Sequence, residues 1–278
     1  LMVSTTNMLM IVLAVESASL PSYGLAGFRK KHRPAAEAAI KYMLFGAVTS
    51  AMMIYGASLL YGYYHTLDLA QIARKVSEDG TSMLPGIAIF MFLIGVAFKV
   101  SAVPFHFWCP DVFEGATIEV TTWLSVISKA AGLGLMLRIV AVMTTAQAST
   151  QTLHYLSLAI AVMAALTCTV GNFSAFRQTN LKRLLAFSSI AHAGYMLMAV
   201  AIFWKPTAAG QVHPGFSTVI AYLAVYLVMN LCAFGCVAMV YWASGRETLD
   251  AWKGLGWRNP LVGVMMAGLG SGNKYALL

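Results

Sequence analysis

Charge is scarce in this sequence. Lys and Arg number 18 and Asp and Glu 10 among 278 residues, 10% in all, where soluble domains carry about a quarter. With 59% hydrophobic residues and a mean hydropathy of +0.74, the chain reads as an integral membrane protein. Cysteine is sparse too. Cys109, Cys168, Cys232 and Cys236 are scattered through apolar sequence. The last two stand one helical turn apart, but neither a histidine nor a second pair accompanies them. They read as small packing residues, and no metal site is expected. The sequence has no dinucleotide-binding glycine fingerprint and no cysteine run suited to an iron–sulfur cluster. Electron transfer is therefore not expected in this chain. A polar, basic domain interleaved with aromatics is missing as well, which argues against nucleic acid as the partner of the +8 net charge. The start has neither a basic n-region nor a cleavage site, so it is not read as a signal peptide. Leu1 in place of Met reads as a boundary inside a longer hydrophobic region.

What fills the sequence instead is a series of long apolar runs. A helix needs about 20 apolar residues to cross roughly 30 Å of hydrocarbon. The runs predict spans over 2–20, 38–64, 83–108, 119–143, 152–173, 184–204 and 216–242, with a partial eighth at 261–269, all in one transmembrane bundle. Pro21 and Gly24 are expected to end the first. The fold class is thus an all-α polytopic helix bundle in the lipid bilayer. Pro104 lacks an N–H and clashes with the carbonyl of Val100, so the third span is expected to break there.

Basic residues test this topology. The odd links hold eleven, among them Arg29, Lys30, Lys31, Arg33, Lys41, Arg177, Lys182, Arg183 and Arg246. The even links hold three, Arg74, Lys75 and Lys205. A bias that alternates with each crossing puts the odd links on the cytoplasmic side.

The remaining charges are the informative ones. Lys99 and Lys129 each stand near the middle of a span, and Glu16 lies inside the first. A lysine there costs about 2.5–3.5 kcal/mol on insertion scales, so helices that keep one usually use it or pair it. The Pro104 break falls beside Lys99, and irregular backbone at that depth is tolerated only against protein or a water-filled cavity. Gly132 and Gly134 allow a close helix neighbour next to Lys129. His192 reads equally as a proton relay or a hydrogen-bonded packing residue, and His106 as a cap for a freed carbonyl or a proton carrier. Asp111 and Glu114 read as solvated acids in the short link after Trp108.

ESASLPSYGLAG, FKVSAVPFHFWCPDVFEGA, SVISKAAGLG and NLKRLLAFSSIAHAGYM resemble the subunit N family of NADH-quinone oxidoreductase, the antiporter-like membrane subunits of respiratory complex I. The resemblance covers about residues 9–200, with weaker similarity to about 262. It implies a bundle of fourteen helices with two inverted five-helix repeats, each containing a broken helix. The first span here would be the family's fifth and 83–108 its broken seventh, so the first and last helices would lie beyond this chain. It implies that Glu16 pairs with Lys99, that Lys129 is the central lysine of the next helix, and that these three carry proton translocation. His106, His192 and Lys182 are weaker candidates. AGLGSGNKYALL replaces the family's Gly-Pro-Pro segment, so no role passes to Lys274. Glu119 stands where the family usually has proline, where it would change local charge and pair with a nearby base.

The resemblance further implies other complex I membrane subunits as partners and the bacterial plasma membrane as the location. It places NADH, FMN, iron–sulfur clusters and quinone in those partner subunits, with no cofactor in this chain. The expected function is proton pumping coupled to NADH-to-quinone electron transfer elsewhere in the assembly. The alternatives are a cation/proton antiporter subunit and a non-conducting assembly scaffold.

Overall fold

In lipid a backbone N–H or C=O has no water to bond, so long apolar runs become helices. The computed structural model describes residues 2–29, 31–79, 82–145, 150–202 and 213–249. In order these form α1 (Met8–Ala26), α2 (Arg33–Tyr64), α3 (Leu69–Glu78), α4 (Met83–Val100), α5 (Trp108–Gly115) and α6 (Ile118–Trp123). A single π-turn at Leu124–Ser128 leads into α7 (Lys129–Thr145), and α8 (Thr150–Ala175), α9 (Leu181–Ala201) and α10 (Pro214–Ser244) follow. Among the described residues seven helices are long and apolar enough to cross a membrane, α6 through α7 counting as one. The expected eighth, 261–269, lies outside the described residues.

Local chemistry moves several boundaries away from those expected. The first helix begins at Met8 because the Asn7 side chain accepts the N–H groups of Leu9 and Met10 at 3.0 and 3.3 Å. Pro21 does not end it. The helix runs through to Gly27, and hydroxyls of Ser17, Ser19 and Ser22 donate to the carbonyls of Leu13, Val15 and Ala18 around the proline. The second helix takes in Arg33 because Pro34 suits a first turn. The third apolar run stops at Val100 with Ser101 left-handed at φ 62°, and α5 resumes at Trp108. In α9 the Asn180 side chain caps the N–H groups of Lys182 and Arg183, so both residues sit in a helical turn rather than a link. The link over 65–82 holds α3, whose buried Leu69, Ile72, Ala73 and Val76 form its inner face.

Two helix starts are built alike. Asn7 pairs with Asp68 in an antiparallel bridge, with Met8 N–H bonded to Leu67 O and Leu69 N–H to Thr6 O, both at 2.9 Å. Asn180 pairs with Thr248 in the same way, through Leu181 N–H to Glu247 O and Leu249 N–H to Thr179 O, at 2.9 and 3.1 Å. The first bridge joins the start of α1 to the segment before α3. The second joins the start of α9 to the segment after α10. Since the starts of α1 and α9 are five crossings apart, the two bridges fall on opposite membrane faces. An inverted internal repeat has this property.

Candidate functional site

The break between α4 and α5 accounts for most of its own polar groups. Ser101 N–H bonds Phe98 O and Ala102 N–H bonds Ala97 O, at 3.0 and 2.9 Å. Val103 N–H reaches across to the Thr167 hydroxyl of α8 at 3.0 Å. The Trp108 indole N–H spans the break to Phe98 O at 3.1 Å, and its ring stacks on Tyr42 with centroids 4.4 Å apart. The indole thus takes a carbonyl near the end of α4 that His106 was a candidate to cap. The break is therefore held in one shape.

Lys99 sits in the last turn of α4 and is 2% exposed. The expected Glu16–Lys99 ion pair is not formed. Among the described residues no carboxylate lies within 4.0 Å of Lys99. Glu16 is held by a short hydrogen bond from the Ser50 hydroxyl of α2. The separation has a plain cause: Ser50 offers Glu16 a donor within α1–α2 packing, and the carboxylate is only partly buried.

Lys129 is wholly buried directly after the π-turn. Its ammonium donates to the Ser189 hydroxyl at 2.8 Å, and Ser189 donates on to Ala186 O at 2.7 Å. Tyr226 of α10 donates to Ser125 O within the π-turn at 3.1 Å. Such turns recur at functional sites because they re-aim a side chain and free carbonyls. Gly132, one turn after Lys129, lies against the break: a Cβ there would stand 2.9 Å from Val100 Cγ2 and 3.1 Å from Lys99 Cβ. The two lysine-bearing backbones are therefore packed against each other. Ser101 and Ser128 flank the lysines in sequence, and their buried hydroxyls make no hydrogen bond among the described residues.

The repeat relates these residues. Glu16 lies nine positions after the Asn7 cap of α1, and Ser189 nine after the Asn180 cap of α9. Ser189 thus occupies in the second half the place that Glu16 holds in the first. Ser189 bonds the lysine of a facing helix, whereas Glu16 bonds Ser50.

The weaker candidates separate. His192 Nδ1 shares a hydrogen bond of 2.7 Å with the Tyr222 hydroxyl, and its ring meets Tyr195 edge-on. Lys182, 2% exposed, donates to Ala116 O at the end of α5 and to Glu247, both at 2.9 Å. Asp111 and Glu114 are not simply solvated link acids. They lie on α5, where Asp111 bonds Lys41 and Arg183 and Glu114 bonds Arg183, each at 2.8 Å. Glu119 is exposed in the first turn of α6 and forms no ion pair with a base among the described residues. Lys274 lies outside the described residues. Sequence reasoning missed Ser50, Ser189, Tyr226 and the Lys41–Asp111–Arg183 cluster. A hydroxyl in an apolar helix carries no signal of its own, whereas the repeated Thr-Asn before two spans does.

A family profile described as NADH:quinone oxidoreductase/Mrp antiporter, TM matches residues 5–274. NADH-quinone oxidoreductase subunit N of Anaeromyxobacter sp. (strain Fw109-5) is 41% identical, over 96% of this chain and 53% of that protein. The subunit N of Chlorobium chlorochromatii (strain CaD3) is also 41% identical, over 95% and 50%. The chain spans about half the length of the curated relatives it matches. Among solved structures, a chain of respiratory complex I from Thermus thermophilus with bound aureothin superposes with a TM-score of 0.74 at 34% identity, over 97% of this chain and 56% of that one. A chain of the Mrp complex from Dietzia sp. DQ12-45-1b gives 0.74 at 22% identity, over 95% and 47%, a likeness of fold.

Proposed function

The chain belongs to the NADH:quinone oxidoreductase/Mrp antiporter transmembrane family, and from that premise we propose that it is a proton-translocating part of a subunit N in a bacterial plasma-membrane NADH-quinone oxidoreductase. The observation that carries the reading is the pair of buried ammonium groups, Lys99 at a helix break and Lys129 after a π-turn, on backbones in contact through Gly132. An isolated buried ammonium is costly, and an adjacent carboxylate favours its charged form. Moving Glu16 from Ser50 toward Lys99 stabilises the proton on Lys99. Moving it back favours release toward Lys129, through Ser101, Ser128 and intervening water. Ser189 holds Lys129 for that exchange. NADH, FMN, iron–sulfur clusters and quinone belong to partner subunits, whose redox chemistry drives Glu16 between its two positions. This chain supplies only the proton stations.

The reading predicts association. Tagged full-length protein, extracted in mild detergent, should bring down other membrane subunits and NADH:quinone oxidoreductase activity. Recovery as a monodisperse subunit that exchanges cations for protons by itself in proteoliposomes would contradict it.

It also predicts sidedness. Lys31 is exposed in the link before α2, and Glu78 is exposed at the end of α3. In a Cys232→Ala background, Glu78→Cys should react with an impermeant thiol reagent on intact cells, while Lys31→Cys should react only in inverted vesicles. The reverse pattern would invert the topology.

A further inference from the structure

The two antiparallel bridges differ in one respect. Lys182 stands two residues after the Asn180 cap, where Leu9 follows Asn7. Glu247 stands one residue before Thr248, where Leu67 precedes Asp68. Both bridges close on the same pair of backbone bonds, at 2.9 Å twice in the first and at 2.9 and 3.1 Å in the second. The bridge built on leucines needs no ion pair to form. Yet Lys182, 2% exposed, pairs with Glu247 at 2.9 Å. A buried ion pair contributes little net stability, since apolar residues of similar volume often replace one at no cost. Its best-attested use is to fix a register.

That register is the one of α9. The Lys182 ammonium also donates to Ala116 O at 2.9 Å, at the joint between α5 and α6. One side chain thus ties α9 to this joint and to the segment after α10. The same three parts of the chain meet again at Lys129. The π-turn that continues α6 leads into Lys129, and Tyr226 of α10 bonds Ser125 O within that turn at 3.1 Å. Ser189 of α9 accepts the Lys129 ammonium at 2.8 Å. Lys182, Ala186 and Ser189 fall at i, i+4 and i+7, on one buried face of α9. Between Lys182 and Ser189 lie about two turns, ~10 Å of helix at 1.5 Å per residue. No glycine or proline interrupts residues 182–189, so this stretch moves as a rod. Any slide of α9 at Lys182 carries Ser189 with it and stretches its bond to Lys129.

We propose that Lys182 is a positioning residue for Lys129. By gripping Ala116 O and Glu247 together it sets the axial register of α9, and α9 in turn aims Ser189 at the Lys129 ammonium. Lys182 itself carries no proton along the path. Without its grip Lys129 stays buried but is no longer aimed, so fewer protons are pumped per NADH oxidised. The proposal rests on the reading of this chain as a proton path.

The test is NADH-driven proton pumping per assembled complex, in inverted vesicles, over a double-mutant cycle of Lys182→Met and Ser189→Ala. Methionine keeps the apolar stem of lysine and removes the ammonium. Each single variant should pump at about a third of the parental rate, and the double variant also at about a third, because both changes break one linkage. Independent effects would multiply to about a ninth. That result overturns the proposal, as does parental pumping by Lys182→Met. Lys182→Arg should pump at about two thirds of the parental rate or more, since guanidinium can hold both acceptors yet releases no proton at working pH. A rate no higher than that of Lys182→Met would make the residue a proton carrier and overturn the proposal. Glu247→Gln loosens the same grip from its wetter end, where the side chain is 21% exposed, and serves if Lys182→Met does not assemble. It should pump at about half the parental rate, and adding it to Ser189→Ala should lower the rate no further; a further drop by half overturns the proposal. Lys129→Ala is measured alongside. If it fails to pump while Lys182→Met pumps like the parent, the positioning role is wrong and the proton path stands. If Lys129→Ala pumps like the parent, the path reading falls and the positioning role falls with it.

Discussion

Replacing Lys129 by alanine is expected to abolish proton pumping while the complex still assembles. The residue is wholly buried, and its one direct hydrogen bond is to Ser189. Removing the ammonium deletes a buried charge, and the freed Ser189 hydroxyl keeps its bond to Ala186 O. The truncation leaves a cavity, which costs stability, but strands no buried charge or donor. Transfer loses its mid-membrane station, and positioned acid–base groups are typically worth about 10²–10⁴-fold in rate. Lys129→Arg should not rescue, because guanidinium does not release its proton at working pH. Ser189→Ala should give a milder loss, since the ammonium remains but is no longer aimed. Fluorescence quenching in inverted vesicles, scaled to assembled complex, reads all three.

Trp108→Ala is expected to act on the other axis, assembly. Trp108 fills the space between Tyr42 and Phe98, with centroids 4.4 and 5.3 Å away, and caps Phe98 O across the break. Truncating a buried tryptophan costs about 3–5 kcal/mol, while Phe98 O keeps its bond from Ser101 N–H at 3.0 Å. That cost is a large share of the about 5–15 kcal/mol by which folded domains are stable. The yield of intact complex on native gels should fall severalfold. Trp108→Phe keeps the stack and loses only the indole donor, so its yield should lie between the two. Parental yield for Trp108→Ala would mean the indole does not hold the break.

Much of this was legible in the sequence because lipid leaves few options. Apolar length gives the helices, and intramembrane lysine marks Lys99 and Lys129 as unusual. Pro104 marks the break, and α4 stops at Val100 with Ser101 left-handed just before it. Boundaries were less legible. Pro21 looked like a terminator, yet α1 runs through it to Ala26. Lys182 and Arg183 looked like link residues because they are charged, but the Asn180 cap draws both into the first turn of α9. The Glu16–Lys99 pair was implied by the family resemblance, and here Ser50 holds the carboxylate. The Lys41–Asp111–Arg183 cluster draws on three helices far apart in sequence. No local pattern in one strand of text announces such a meeting. The one overlooked signal was Thr-Asn at 6–7 and again at 179–180, which marks the repeat and equates Ser189 with Glu16.

The central claim is that Lys99 and Lys129 are stations on one proton path. Its most direct test is the ratio of protons pumped to NADH oxidised in inverted vesicles carrying assembled Lys99→Ala or Lys129→Ala complex. Lys99→Ala removes a buried ammonium while Glu16 keeps its hydrogen bond from Ser50, so assembly should survive. The account predicts pumping reduced at least tenfold in both variants, with NADH oxidation slowed or uncoupled from it. Parental pumping by both, at parental levels of assembled complex, would make these lysines structural and contradict the account.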